Sequence, residues 1–571
     1  MRITRSIQKP SHEFTLGFAL NNFEPSLFAI CYLLFLSTLL PSLMKMSKAK
    51  DKSGSRSPNN MASIDDLGDD LMQNILTRLP APSFASAACV NRSWSSVCHR
   101  VLSVPKLRSA VSFNPTLQNA VSEVMDKVLQ EPIRPHFVMA SIGPCVCLEA
   151  AFKLIEGKFG SGIPIIVNVC EGVIGKDVLT DQFVEFQWEI TEEEDGGAAL
   201  LEQKGGISLT IGFLPGLKAH IIPLMFRIKG PHGILIDDFV MDIREATSTV
   251  SSPAGIILFS DRETDINPVL QTLEYAFSED TFIVGDGGCQ FLYRSDSGNT
   301  ITNQKHPGCA AVALVFARDA DKPMDIGETK FHVRLSTGVS PIGPTYRAAS
   351  VKCRKSSTWL TASREAVRGH LDGQAILEEI YDELGNRIQY PAFYIGVTKR
   401  RKCSVGMETV RRMQFLEFHE VRGGDEEYLI VNSVGIKTGD SFRFYISDSG
   451  AALSSCTKVS NNLRHLDCDC ANNHMSDVDH CDKSNVFGGI IFTCCGRGES
   501  FFGVNGIDIH PFLKNFPGVA FGGTYCAGEI FRGDLNLYEQ DNEEGDLVHC
   551  GQHVYSTVYL VMSYSPPPPQ H

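Results

Sequence analysis

The residue types able to do chemistry in this chain gather at the ends of apolar runs. Cys526-Ala-Gly528-Glu529 follows PGVAFGGTY, Cys170-Glu171-Gly172 follows IPIIVNV, and Cys494, Cys495 and Arg497 close GGIIFT. A guanidinium and a carboxylate at one rim would hold a zwitterionic ligand, and a thiol there would offer a nucleophile. The nucleophile needs a base, and His510 or His553 would have to supply it. Nothing in the spacing fixes that geometry, and free Cys is often a small buried hydrophobe. We therefore expect no catalytic residue and no cofactor. Cys494, Arg497, Cys526, Gly528 and Glu529 are the candidate ligand or substrate site.

Gly285, Gly287, Gly288, Gly522 and Gly523 also follow or close apolar runs. Their amides would cradle an anion, or they would serve tight turns needing positive φ. No G-x-G-x-x-G in context and no Walker sequence points to a nucleotide. Cys468, Cys470, His474, His480 and Cys481 place five metal-ligand types within fourteen residues. The first pair is C-x-C rather than the C-x2–4-C of zinc sites, and Asn, Asp and Ser fill the stretch. It reads as a solvated insertion, with no metal expected. The acidic runs Glu192–Asp195 and Glu539–Asp546 read as solvated loops able to meet basic substrates.

The elements that carry these residues form a repeating unit of strand, helix, strand and glycines. One copy is His136–Gly143, Cys147–Phe159 and Ile163–Gly175. A second is Gly255–Asp261, Ile266–Phe277 and Thr281–Gly288. A third is Gly488–Gly498, a helical stretch to Phe516, then Pro517–Ile530. Continuous apolar runs of this length suit strands covered on both faces. The pattern suggests a duplicated α/β domain. Alternating stretches at Phe331–Leu335, Ala392–Val397, Tyr428–Val431 and Phe442–Ile446 read as further strands, and Val554–Ser563 as the last. Helices are expected over Ala120–Leu129 and within Gly369–Leu384. No leucine-rich pattern recurs at a fixed period.

The chain has 571 residues, net charge −14, and 43% hydrophobic and 21% charged residues. Such a balance is that of a folded protein and disfavours nonspecific nucleic-acid binding. Eighteen Cys without framework spacing read as reduced thiols of the cytoplasm and/or nucleus. Ser26–Met44 is uncharged and long enough to span a membrane. Pro41 near its end, and the hydrophilic leader that Met46 opens, favour a start at Met46 or Met61 over an anchor. The remaining leader to Asn60 is a flexible linker.

From Ser63 to Leu102 the chain is a compact helical module. Leu67, Leu71, Ile75 and Leu79 recur every four residues, with Leu76 beside them, and Pro80 and Pro82 end the helix. Val90, Trp94, Val97 and Val101 form a second stripe. About forty residues cannot bury that much apolar surface alone, so the module needs a partner. The order Leu71, Ile75, Leu76, Leu79, Pro80, Val90, Trp94 resembles the F-box family. Gly68 stands where the family usually has Pro, and Ser93 where it is often basic; neither removes an apolar anchor. The resemblance implies docking on the Skp-type adaptor and cullin scaffold of an SCF ubiquitin ligase, with Leu67 among the adaptor-binding residues.

Residues 136–562 resemble tandem FIST domains, N-terminal and C-terminal parts. The motifs are LDGQAILEEI (Leu371–Ile380), GDSFRFYISDSGAAL (Gly439–Leu453), IIFTCCGRG (Ile490–Gly498), FPGVAFGGTYCAGEI (Phe516–Ile530) and HVYSTVYLV (His553–Val561). FIST parts imply small-ligand sensing. The expected architecture is mixed α+β and α/β. It comprises an extension 1–60, an F-box 61–106, a FIST N-like domain 120–345, a FIST C-like domain 346–562 and a Pro-rich tail 563–571. The expected function is that of a non-enzymatic SCF substrate receptor whose FIST parts bind a protein substrate or a gating small ligand. The rival is a sensor of amino-acid-like molecules, membrane-tethered or not.

Overall fold

The computed structural model describes residues 68–188, 205–226, 234–247, 252–295, 300–301, 308–354, 357–364, 369–385, 387–388, 391–466, 485–533, 547–548 and 550–568. Ser26–Met44, Leu67, the Cys/His stretch 468–481 and both acidic runs lie outside the described residues. Among the described residues no helix is long and apolar enough to cross a membrane. The chain divides into two compact units at Met72/Gln73. Of the first unit, only residues 68–72 are described.

Those residues begin helix α1 (Asp69–Leu76), whose first-turn Asp69 and Asp70 suit the positive end of the helix dipole. After the Pro80 break come α2 (Ala81–Ala88) and α3 (Arg92–Val101). Pro82 sits in the first turn of α2, where a missing N–H costs nothing. Asn91 caps α3, its Oδ1 accepting from the Trp94 amide at 2.8 Å. The expected helix–break–helix module is therefore present.

The rest is built from three copies of one chain path. The first runs β1 (Lys106–Ser112), α4 (Leu117–Val128), β2 (Phe137–Ile142), α5 (Leu148–Glu156), β3 (Ile165–Val169), β4 (Gly172–Lys176), β5 (Phe183–Gln187), β6 (Ile207–Phe213). The second runs β7 (Leu217–Met225), α6 (Ile236–Ala246), β8 (Gly255–Ser260), α7 (Asn267–Ala276), β9 (Phe282–Asp286), β10 (Phe291–Arg294), β11 (Thr300–Ile301), β12 (Cys309–Arg318). The third opens with β13 (Glu328–Thr337) and is then interrupted. The interruption holds β14 (Val339–Arg354), β15 (Ser357–Ser363), α8 (Gly373–Leu384), β16 (Phe393–Cys403), β17 (Arg411–Gly424), β18 (Leu429–Asn432) and β19 (Ser441–Ser447). The third copy resumes with α9 (Ser449–His465), β20 (Asn485–Cys494), α10 (Glu499–Phe502), α11 (His510–Asn515), β21 (Ala520–Cys526) and β22 (Glu529–Arg532). It closes with β23 (Leu547–Val548), β24 (Cys550–His553) and β25 (Ser556–Ser565).

Each copy forms a six-stranded sheet, but only four strands of each sheet are its own. The orders are β1-β6-β2-β3-β10-β11, β7-β12-β8-β9-β22-β24 and β13-β25-β20-β21-β4-β5. Thus the first sheet receives a hairpin from the second copy, the second from the third, and the third from the first. The expected strand–helix–strand units are present as the parallel pairs β2–β3, β8–β9 and β20–β21. The expectation of a duplication is corrected: the path occurs three times. The sheets also run across the expected division at residue 345.

The inner faces of the three sheets share one core, in which Phe137, Phe259, Phe316, Phe492, Phe531 and Leu560 are buried. Helices cover the outer faces: Val124 and Phe152 pack on the first sheet, Phe239 and Leu270 on the second, Val459 and Phe512 on the third. Strands buried on both sides explain the unbroken apolar runs. The interruption closes on itself as a six-stranded barrel, β14-β15-β18-β17-β16-β19, because β16 pairs with both β17 and β19. Ile376, Ile380 and Leu384 of α8 fill its core.

Candidate functional site

The F-box-like anchors differ in exposure. Leu76 and Leu79 are buried, Ile75 and Trp94 partly so, while Leu71, Pro80 and Val90 are exposed. Leu71 is 49% exposed and Val90 60%, well beyond what a self-contained helical hairpin needs. Val97, Cys98 and Val101 form the buried side of α3. From Gln73 onward the module is tied to the α/β body: the Ala81 amide donates to the Leu129 carbonyl at 2.9 Å, and Tyr564 Oη donates to the Ser103 carbonyl.

The second candidate lies where β3, β9 and β21 end. Cys494 and Cys526 are register partners in the parallel pair β20–β21, and the Cys495 amide donates to the Cys526 carbonyl at 2.8 Å. Glu529, opening β22, lies opposite Asp286 on one side and His553 on the other. Cys170, Cys289, Cys526 and Asp286 are near enough to interact electrostatically. Strand ends from all three copies therefore meet, as the shared positions of Cys170 and Cys526 in the sequence suggested.

What they form is interior rather than a rim. Glu529 is fully buried, and its Oε2 accepts from Ser556 Oγ at 2.8 Å. Burial, with Cys494 beside it, pushes the Glu529 carboxyl well above the usual range. Asp286 is likewise pushed up by burial, to about 7. Burial lifts the thiol of Cys170 to about 12 and those of Cys289 and Cys526 well above the ordinary value. A cysteine nucleophile needs the opposite shift and an open approach, so the hydrolase alternative finds no support in these thiols. Among the described residues no group of His, Cys, Asp and Glu is arranged to hold a metal.

Arg497 is corrected from a rim cation to a buried structural one. Its Nη2 donates to Asp508 Oδ1 at 2.6 Å and its Nε to Asp508 Oδ2 at 3.0 Å. The remaining donors reach the Tyr555 carbonyl and Ser336 Oγ. No exposed surface is left on it. The sequence did carry the partner, eleven residues on, but not the loop that folds Asp508 back.

The glycines serve close packing rather than an anion. A Cβ on Gly523 would stand 2.0 Å from Ile491 Cγ2, and on Gly285, at φ +151°, 1.8 Å from the Leu258 carbonyl oxygen. The Gly287 amide already donates to Gly528 and the Gly288 amide to Asp286. Gly528 itself packs against the Gln552 side chain.

Sequence reasoning missed Glu185. It lies on β5, the hairpin donated to the third sheet, and accepts from the Gly506 and Ile509 amides at 2.8 and 3.0 Å. Desolvation, then the nearby Asp508 charge, raises its carboxyl to about 7; Tyr525 also bonds to it, and Arg497 neutralises Asp508. An acid raised above its unfolded value binds its proton more tightly when folded. Its contribution is full below the ordinary 4.5 and is lost as pH rises through about 7. Stability from urea denaturation should fall between pH 5 and pH 8 in the wild type, and fall less in Glu185→Gln. Equal pH slopes would remove Glu185 from this role.

Comparison with known proteins adds two findings. The family profile for the F-box domain matches residues 64–104. An F-box/LRR-repeat protein of Arabidopsis thaliana is 41% identical over 534 residues, covering 91% of this chain and 98% of the relative. The described strands here build mixed six-stranded sheets. Leucine-rich repeats would instead give a short strand every 20–29 residues.

Proposed function

The chain belongs to the F-box protein family, and on that premise we propose that it is the substrate-recognition subunit of an SCF ubiquitin ligase. Members of this family are non-catalytic subunits of that ligase, and an F-box implies a Skp-type adaptor as partner. The observation that carries the proposal is the F-box match at 64–104, joined to a body several times its size. One end holds the ligase; the other holds what is to be ubiquitinated. We assign Leu67, Leu71, Ile75, Leu76, Leu79, Pro80, Val90 and Trp94 to the adaptor-binding module; the exposure of Leu71, Pro80 and Val90 supports direct contact, whereas Leu76 and Leu79 are buried and hold that face from beneath. The α/β body, with its resemblance to tandem FIST domains, is the substrate-binding part. It acts in the cytoplasm and/or nucleus, where the ligase works.

Affinity purification of the chain from Met46 onward, with and without residues 63–102, followed by mass spectrometry, tests this. The intact chain should bring down adaptor and cullin, and the shortened one neither. Adaptor recovery without residues 63–102 would reject the proposal.

A further inference from the structure

The hairpin β16–β17 projects from the barrel and carries an unusual charge pattern. Its sequence, Thr398 to Met413, is TKRRKCSVGMETVRRM, within a chain of net charge −14. The register puts Lys402 directly opposite Arg412, and Arg400 opposite Gln414 two residues along. Directly opposed residues, and those two apart, share a face, so Arg400, Lys402 and Arg412 line one side of the hairpin. All three are exposed, as is Arg411.

Like charges directly opposite one another destabilise a strand pair. Among the described residues no carboxylate relieves the pair Lys402–Arg412. Of the hairpin's own carboxylates, Glu417 pairs with Arg401 and Glu408 with Arg244 at 2.6 Å. The chain's acidic run ends at Asp546, next to β23, which pairs with β17 at Gln414 and Phe415, and is therefore the rival occupant. Lys402, Arg411 and Arg412 have no ion-pair partner among the described residues. Beside them at the tip, Met407 is fully exposed and Val410 more than half exposed.

The hairpin is also held in place. Tyr275 Oη donates to the Thr409 carbonyl at 2.7 Å, and Gln271 Nε2 to Glu417 at 2.8 Å, fixing the turn and β17 to α7. Exposed side chains on an anchored frame lose less freedom on binding than those on a loose one. At physiological salt, charges beyond about 8 Å are largely screened, so this patch acts locally despite the acidic chain.

We propose that the Arg400–Lys402–Arg412 face of this hairpin is a docking surface for an Asp/Glu-rich segment of a protein substrate. Unpaired cations recognise carboxylates, and Met407 and Val410 offer contact to an apolar residue flanking them. The proposal rests on the substrate-receptor reading and names its substrate class.

The test uses the full chain and a fluorescein-labelled twelve-residue Glu/Asp peptide with one central Leu, read by anisotropy. The wild type should bind it, more weakly as salt rises, and should not bind the Gln/Asn counterpart. Lys402→Gln with Arg412→Gln should weaken binding about tenfold or more, while adaptor co-purification is unchanged. Unchanged peptide binding overturns the proposal. Tighter binding of a single-stranded oligonucleotide than of the peptide also overturns it. A third overturning result concerns the chain's own acidic run. If Glu539, Glu543, Glu544→Gln with Asp546→Asn raises peptide affinity about tenfold, that run is the occupant. Loss of adaptor binding by the wild type would refute the receptor reading without touching the peptide measurement, which uses the chain alone.

Discussion

Leu71→Ala together with Trp94→Ala is expected to abolish co-purification of the adaptor and cullin while leaving the α/β body folded. Buried aromatic and leucine anchors in such interfaces often cost more than roughly 2 kcal/mol each on truncation. Two together amount to roughly 4 kcal/mol, or about a thousandfold in affinity. The fold should tolerate the change. Leu71 is half exposed in its helix, and Trp94 is only partly buried, its backbone held by the Asn91 cap rather than by the indole. Circular dichroism and thermal melting should therefore match the wild type. Undiminished recovery of the adaptor from the double variant would end the F-box assignment of these side chains.

Arg497→Gln should produce the largest loss of stability of any single substitution discussed. The substitution leaves Asp508, itself 1% exposed, without its counter-ion. Breaking a buried pair in this way costs roughly 3–5 kcal/mol, because the remaining charge stays desolvated. That is a large share of the roughly 5–15 kcal/mol by which domains are stable. Arg497→Gln with Asp508→Asn removes both charges and should cost less than the single change. Urea denaturation of both variants checks the pair. A single-variant loss near 1 kcal/mol, the value of a surface pair, would contradict the burial described here.

The local elements were legible where chemistry and spacing agree. The Leu71-to-Trp94 module follows from a four-residue period and a proline break. The three parallel strand pairs follow from unbroken apolar runs, and α8 from Ile376, Ile380 and Leu384 on one face. All three strand–helix–strand units were legible, but not that each is the middle of one longer path, because in the third copy the barrel separates the leading strand, which ends at Thr337, from the helix that begins at Ser449. The exchange of hairpins was not legible either. Pairing Gly172 with Tyr525 leaves no periodic trace in either segment. Arg497 misled for a related reason. A charged residue between Gly496 and Gly498 looks like a solvated turn, yet Asp508, in the turn before α11, and Tyr555, in the bend between β24 and β25, enclose it. Burial of a charge is a property of its neighbours, and of these only Asp508 is near in sequence, while Tyr555 and Ser336 are 58 and 161 residues away.

The circular exchange of hairpins also has a cost during synthesis. Gly172 and Thr524 are hydrogen-bonded across 352 residues of chain. At roughly 5–20 residues per second, a ribosome needs about 20–70 s to make that stretch. Until it does, the hairpin β4–β5 has left the tunnel without the strand it belongs beside, and its apolar residues and open edge stand exposed. The helices that meet the adaptor emerge before any of this. A chain broken off before residue 520 would therefore carry the ligase-binding end on a body that cannot close, an object suited to recognition by chaperones.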